Sequence, residues 1–173
     1  MKNTSISGAG GGLRSSRLYV AAMQLPLLLP LLLPLSFFPI WAHAQFSMVP
    51  APLLAGPPRE SPAEIEKEYR IDAARHLYAA YPMRVYRGRV PPLIYSVMVV
   101  ETEIDITGKV LGIKVVRKPA ADEVEPWVLA MIRRASPFPP PVKIEGGSVR
   151  YFDVWLVDKS GLFQVDTLTE GQN

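Results

Sequence analysis

The sequence predicts an α+β fold in which two helices pack on a small antiparallel sheet of three to four strands. Two segments carry apolar residues at helical spacing, and β-branched segments join around short glycine turns, in the order helix, strand, strand, helix, strand, strand. The 173-residue chain is 49% hydrophobic and has no cysteine. We therefore predict one domain over residues 62–168, held by its core without disulfides, and a tail at 169–173.

The first helix is predicted from residue 62 to about Ala80. Ser61 and Glu64 have the spacing of a capping box, and a proline stands at the first helical position. Tyr81-Pro82 ends the helix, because the residue before proline is pushed out of the helical region. The predicted apolar stripe is Ile65, Tyr69, Ala73, Leu77 and Ala80.

A hairpin follows the first helix. Residues 93–106 are rich in β-branched and aromatic types, and their second half alternates apolar or threonine with acidic residues. Gly108 lies in the turn, and Leu111, Ile113 and Val115 alternate in the second strand. So short a connection predicts antiparallel pairing.

The second helix begins near Asp122, which has a capping relationship to Glu125. Four prolines between residues 137 and 141 then stop the helix and stiffen a connector back to the sheet, with Phe138 under the turn. A third strand (148–158) and a shorter fourth (162–168) complete the sheet. The apolar positions of this helix are Val124, Trp127, Val128, Met131, Ile132 and Ala135.

Residues 1–44 have the layout of a secretory signal. A polar, basic stretch precedes an apolar run (18–41), and an Ala-His-Ala cleavage motif ends at Ala44. The apolar run is also long enough to span a bilayer, so a retained inner-membrane anchor is the alternative. Its prolines favour the cleaved signal, because each removes a helix hydrogen bond. Both readings export the domain.

Charge separates the leader from the rest of the chain. The leader holds Lys2, Arg14 and Arg17 and no acidic residue. Subtracting these three from 19 basic and 16 acidic residues leaves 16 of each for residues 45–173. The exported part is therefore neutral overall, and its composition gives no indication of the basic face that nucleic-acid binding needs. Residues 45–61 are proline-rich without periodicity and predict a linker that reaches about 60 Å at most.

In this order, the pieces resemble the C-terminal domain of the TonB energy-transducer family over about residues 75–160. Tyr81-Pro82 corresponds to the family's Tyr-Pro motif, and IDITGKVLGIKVVR to its hairpin around a glycine turn. Asp122 opens a helix that runs into the Phe-Pro-Pro-Pro motif at 138–141, and a strand follows. Order and spacing together make the match.

The resemblance implies binding, with no catalytic residue, cofactor or metal. In that family the exported domain contacts outer-membrane receptors, whose TonB box adds to the domain's sheet as a strand. The third strand (about 149–157) is the implied edge, and an exposed edge strand could also pair two copies in a homodimer. Its Tyr/Trp row is either an exposed contact surface or buried under a helix. The candidate partner-binding residues are Tyr81, Pro82, Tyr151, Asp153 and Trp155.

The linker has 17 residues where the family has a long spacer rich in proline, glutamate and lysine. So short a tether does not carry force between membranes, which favours a stand-alone periplasmic protein with the same domain. A retained anchor would instead imply inner-membrane partners coupled to the proton gradient.

Two other classes stay open: a purely structural envelope protein, and a small periplasmic enzyme that uses the carboxylate row Glu101, Glu103 and Asp105. That row is also explained as a solvated face or as protection of an edge. His76, the one histidine after the leader, is interpreted as a packing or surface residue, because a metal site needs several ligands.

Overall fold

The computed structural model describes residues 44–171, and within them the α+β fold is confirmed. The apolar run of the leader lies outside these residues, and no helix within them is long and apolar enough to cross a membrane. The elements are α1 (Ala44–Ser47), α2 (Glu66–Ala80), β1 (Ser96–Asp105), β2 (Val110–Arg117), α3 (Val124–Arg134), β3 (Ser148–Val157), β4 (Phe163–Val165) and a 3-10 turn (Asp166–Leu168).

The four strands form one antiparallel sheet in the order β2-β1-β3-β4. β1 and β3 pair over their full ten residues, with Ser96 opposite Val157 and Asp105 opposite Ser148. β4 is much shorter and pairs with β3 only from Trp155 to Val157. The prediction of an edge along 149–157 is therefore wrong at its C-terminal end, where β3 is an interior strand.

Both long helices lie on one face of the sheet. Side chains alternate between the two faces of a strand, and every second residue of β1 and β3 is buried. The predicted stripe of α3 is confirmed, since Trp127, Met131 and Ile132 are fully buried with Trp155 of β3. One aromatic-rich core thus joins the helices to the sheet.

The proline connector after α3 docks on the β1–β2 hairpin turn through Phe138. Its ring is fully buried, and its N–H donates to the Gly108 carbonyl oxygen at 2.7 Å. His76 packs on the same ring, with centroids 4.9 Å apart. The connector therefore fixes the end of α3 against both α2 and the hairpin.

Helix α2 begins at Glu66, later than predicted, and the capping box is wrong. Ile65 is the N-cap residue and supplies no side-chain hydrogen bond. The Ser61 hydroxyl instead accepts from the Ala63 N–H at 3.2 Å and donates to Asp72 at 2.7 Å. Ser61 thus bonds locally and ties the preceding chain to the helix.

Residues 45–61, which we call the strap, pack on the domain, so the prediction of a free linker is wrong. Phe46 is 6% exposed, and its ring lies edge-on to Trp127 at 5.3 Å. An aromatic side chain that docks in the core adds apolar burial that a free linker does not have. Three hydrogen bonds hold the rest: Arg134 to the Val49 carbonyl, Leu53 N–H to the Ala80 carbonyl, and Ser61 N–H to the Pro140 carbonyl.

Candidate functional site

The outer side of β3 over residues 148–153, which we call the open edge, is unpaired by any strand of the described chain. The Val154 N–H points away from β1, because it donates to a carboxylate oxygen of Asp166 at 2.9 Å. Backbone groups alternate in direction along an antiparallel strand. The N–H and C=O groups of Arg150 and Phe152 therefore also point outward, where another strand could pair with them.

A surface groove of about 440 Å³ lies beside the open edge, between β3 and the start of α2. Two apolar side chains at this groove stay exposed, Ile65 at 54% and Phe152 at 46%. Exposed apolar surface beside unpaired backbone is typical of an interaction site. The groove is lined by Ile65, Glu66, Lys67, Arg70 and Phe152.

An ionic cluster closes the C-terminal end of the open edge. Arg70 Nε donates to Asp153 Oδ1 at 3.0 Å, and Arg70 Nη2 donates to Asp166 Oδ1. The Thr167 hydroxyl also donates to Asp153 Oδ1, at 2.9 Å. The cluster therefore joins α2, β3 and the 3-10 turn.

The two charged partners in this cluster respond differently to their surroundings. Burial raises the pKa of Asp153 to about 6, against opposing contributions from Thr167 and Arg70. Burial lowers the pKa of Arg70, but its bonds to Asp166 and Asp153 outweigh this and leave that pKa raised. Burial dominates the pKa of Asp153 but not that of Arg70, because the Asp153 side chain is 3% exposed and that of Arg70 is 29% exposed.

Of the two alternatives that the sequence leaves open for the Tyr/Trp row of β3, the structure shows burial under a helix. Tyr151, Asp153 and Trp155 face the helices and are almost fully buried. The ring of Tyr69 on α2 covers Tyr151, with centroids 5.7 Å apart. Phe152 lies on the opposite face of the sheet. Between Tyr151 and Asp153, only the backbone and the Phe152 side chain are therefore accessible to a partner.

Tyr81 and Pro82 divide between core and surface. The Tyr81 hydroxyl donates to the Met131 carbonyl oxygen at 2.8 Å, which ties the end of α2 to α3. Burial raises the pKa of Tyr81 to about 12. Pro82 is partly exposed and lines a second surface groove with Tyr78 and Tyr86. Tyr81 is thus a packing residue, and Pro82 keeps an accessible surface.

Each carboxylate of the row Glu101, Glu103 and Asp105, the site of the enzyme alternative, has a nearby partner. Glu101 Oε2 lies 4.0 Å from the Lys114 ammonium, and Glu103 accepts from Arg150 at 3.1 Å. Asp105 accepts N–H bonds in the hairpin turn, and its bond from Thr107 contributes most to lowering its pKa. These contacts are those of a sheet face and a turn.

His76 is a packing residue, as interpreted from the sequence. Its Nε2–H donates to the Ala135 carbonyl oxygen at 2.7 Å, beyond the end of α3. Burial lowers its pKa, which keeps the ring neutral near neutral pH.

The other sheet edge, along β2, is unpaired in the described chain but irregular. Two register shifts against β1 leave Leu111 and Val116 without a partner residue. Both are more than half exposed, so the prediction that Leu111 alternates with Ile113 and Val115 is wrong. Bulges and edge cations such as Lys114 are devices that keep strand edges from pairing.

The residues that surround the open edge were missed from sequence. Arg70 is not part of the predicted apolar stripe of its helix, and Asp166 falls within the predicted fourth strand (162–168). Their contact joins residues 96 positions apart, and no local pattern signals such a pair.

Comparison with known proteins found no matching family model, no matching curated protein and no matching solved structure. The functional proposal therefore depends on the open edge and on the motif resemblance.

Proposed function

We propose that this chain is an exported binding protein with a domain of the TonB C-terminal type, which captures an extended partner segment on the open edge of β3. The observation that carries the proposal is the outward-facing backbone of Arg150 and Phe152 beside a groove that exposes two apolar side chains, Ile65 and Phe152. An added strand would supply the missing hydrogen bonds. The resemblance implies the partner, a TonB box of an outer-membrane receptor.

The contrast between the two edges supports β3 as the binding edge. β3 pairs with β1 without a register shift from Ser148 to Val157, so its outward groups have regular spacing. β2 has two bulges and flanking cations. A partner strand would need matching irregularities to pair with β2.

Side chains of the added strand would also contact the domain. Alternate residues of a strand point to opposite faces. One set would enter the groove near Ile65 and Arg70, and the other would lie beside Phe152 on the open face. Backbone pairing thus supplies affinity, and the groove selects among segments.

The packed strap favours a free periplasmic binder over a tethered transducer. Residues 46, 49, 53 and 61 all contact the domain, so the reach of about 60 Å is lost unless the strap detaches. A retained anchor would hold the domain close to the inner membrane. Partners coupled to the proton gradient would then act only on an anchored form.

The test is a titration of isotope-labelled protein, purified from the cell envelope, with a TonB-box peptide. We expect amide shifts at Arg150, Phe152 and the first turn of α2, where the added strand would lie. The same peptide with proline at alternate positions is the control, since proline cannot donate to a ladder. Absence of shifts at millimolar peptide, or shifts confined to β2, would refute the proposal.

A further inference from the structure

Asp166 stands where a longer β4 would pair with β3. Leu156 pairs with Gln164 and Trp155 with Val165, so the next position in this register sets Asp166 opposite Val154. The chain turns away there into the 3-10 turn. The Asp166 carboxylate then accepts the Val154 N–H at 2.9 Å in place of a backbone carbonyl.

The position of Asp166 is fixed from α2. Arg70 donates to Asp166 and to Asp153, and Asp153 is 2% exposed. The neighbouring residue Val165 donates its N–H to the Tyr78 hydroxyl at 3.1 Å. A partner strand that displaced Asp166 from the Val154 N–H would thus also break the hydrogen bond between Arg70 and Asp166. That bond is charge-assisted, and charge-assisted hydrogen bonds are stronger than neutral ones.

We propose that Asp166 sets the length of the strand that the open edge accepts. This inference rests on the proposed function of that edge. With Asp166 in place, a partner pairs with the outward groups of Ser148, Arg150 and Phe152 but not with that of Val154. Since outward residues alternate, that site holds an extended segment of roughly five residues. A longer strand must take the Val154 N–H from Asp166.

The fitting partner is therefore a short extended segment that ends or turns before it reaches Val154. A long regular strand, such as the edge of another sheet, would meet the Asp166 carboxylate and its bonds to Arg70. The same contact would keep a second copy of β3 from pairing along its full length. Asp166 is in this sense a specificity-determining residue.

Two TonB-box peptides test this inference: one of about five residues, and one extended by about four residues toward Val154. We expect both to bind the natural protein with similar affinity. In Asp166→Ala the Val154 N–H becomes accessible, and one more ladder hydrogen bond should tighten the long peptide about three- to tenfold. The short peptide should be unchanged.

Asp158→Ala is the matched control. Asp158 also accepts a backbone N–H, from Ser160 at 2.8 Å, but in the β3–β4 turn. We expect it to leave the ratio of the two affinities unchanged. Asp166→Asn keeps an acceptor for Val154, so the two peptides should bind it with similar affinity, as they do the natural protein.

Hydrogen exchange gives a readout that needs no partner. We expect the Val154 amide to be protected in the natural protein and exposed in Asp166→Ala, while Arg150 and Phe152 exchange quickly in both. Rapid exchange of Val154 in the natural protein would overturn the inference, as would equal effects of Asp166→Ala on both peptides. Failure of both peptides to bind any variant would instead overturn the proposed function.

Discussion

The backbones of Gly108 and Phe138 are in direct contact: the Phe138 N–H donates to the Gly108 carbonyl oxygen, and the Phe138 carbonyl oxygen lies only 2.0 Å from where a Cβ on residue 108 would be. Gly108 also has φ +87°, which favours glycine. The hairpin turn and the proline connector therefore fit together only because residue 108 has no side chain.

We expect Gly108→Ala to lower the free energy of unfolding by at least about 2 kcal/mol, from left-handed strain plus displacement of the connector. Chemical denaturation measures it. Gly88→Ala is the control, since Gly88 has φ +82° but open space around its Cβ position. Equal losses in the two variants would show that the contact with Phe138 adds nothing.

Phe46→Ala tests whether the strap belongs to the folded domain. Phe46 packs on Trp127 and stacks on Tyr95, so its loss should lower the free energy of unfolding by about 3–5 kcal/mol and change tryptophan fluorescence. Met48→Ala, at a side chain 78% exposed, should have little effect. If the two variants have the same free energy of unfolding, the strap is not docked in solution.

The raised pKa of Asp153 predicts that the free energy of unfolding depends on pH and fixes the sign of that dependence. The folded state holds the Asp153 proton up to about pH 6, whereas the unfolded chain releases it near the ordinary value of 3.8. Between these values the unfolded state binds fewer protons, so stability falls as pH rises. The loss is at most about 3 kcal/mol.

Asp153→Asn keeps residue 153 neutral at every pH. The unfolding free energy of Asp153→Asn minus that of the natural protein should therefore increase as pH rises from 3.8 to about 6. Denaturation at several pH values measures this difference. A decrease over that window would mean that the bond to Arg70 outweighs burial and that the pKa of Asp153 is lowered.

Phe152→Glu should abolish most TonB-box peptide binding, because it sets a charge on the open face beside the added strand. Val116→Glu is its control, since Val116 is a similarly exposed apolar residue of the same sheet, at 52%, but on β2. Calorimetry gives both affinities. Equal loss of peptide affinity in the two variants would mean that binding depends on the sheet surface as a whole and not on the open edge of β3.

The intact mass of the protein from the cell envelope decides how the domain is held. We expect a mass that starts at Gln45, because the cleavage motif ends at Ala44 and the strap begins there. A mass that includes residues 1–44 would establish an anchored form and return transduction to consideration.

The sequence by itself determined the elements of this domain, because those signals are local. Residues such as Trp127 and Met131 repeat at helical spacing along α3, and Gly108 marks a tight turn. These patterns depend on neighbours within a few positions, so the two helices, the hairpin and the succession of helices and strands along the chain could be predicted.

Only the tertiary structure decided which backbone is open to a partner. Alternation along β3 separates Tyr151 from Phe152, but both rows are apolar enough to be core, and only the position of α2 shows which is buried. The docking of Phe46 on Trp127 and the bond between Arg70 and Asp166 join segments far apart in the chain. Such contacts depend on how the elements pack, which no local pattern encodes.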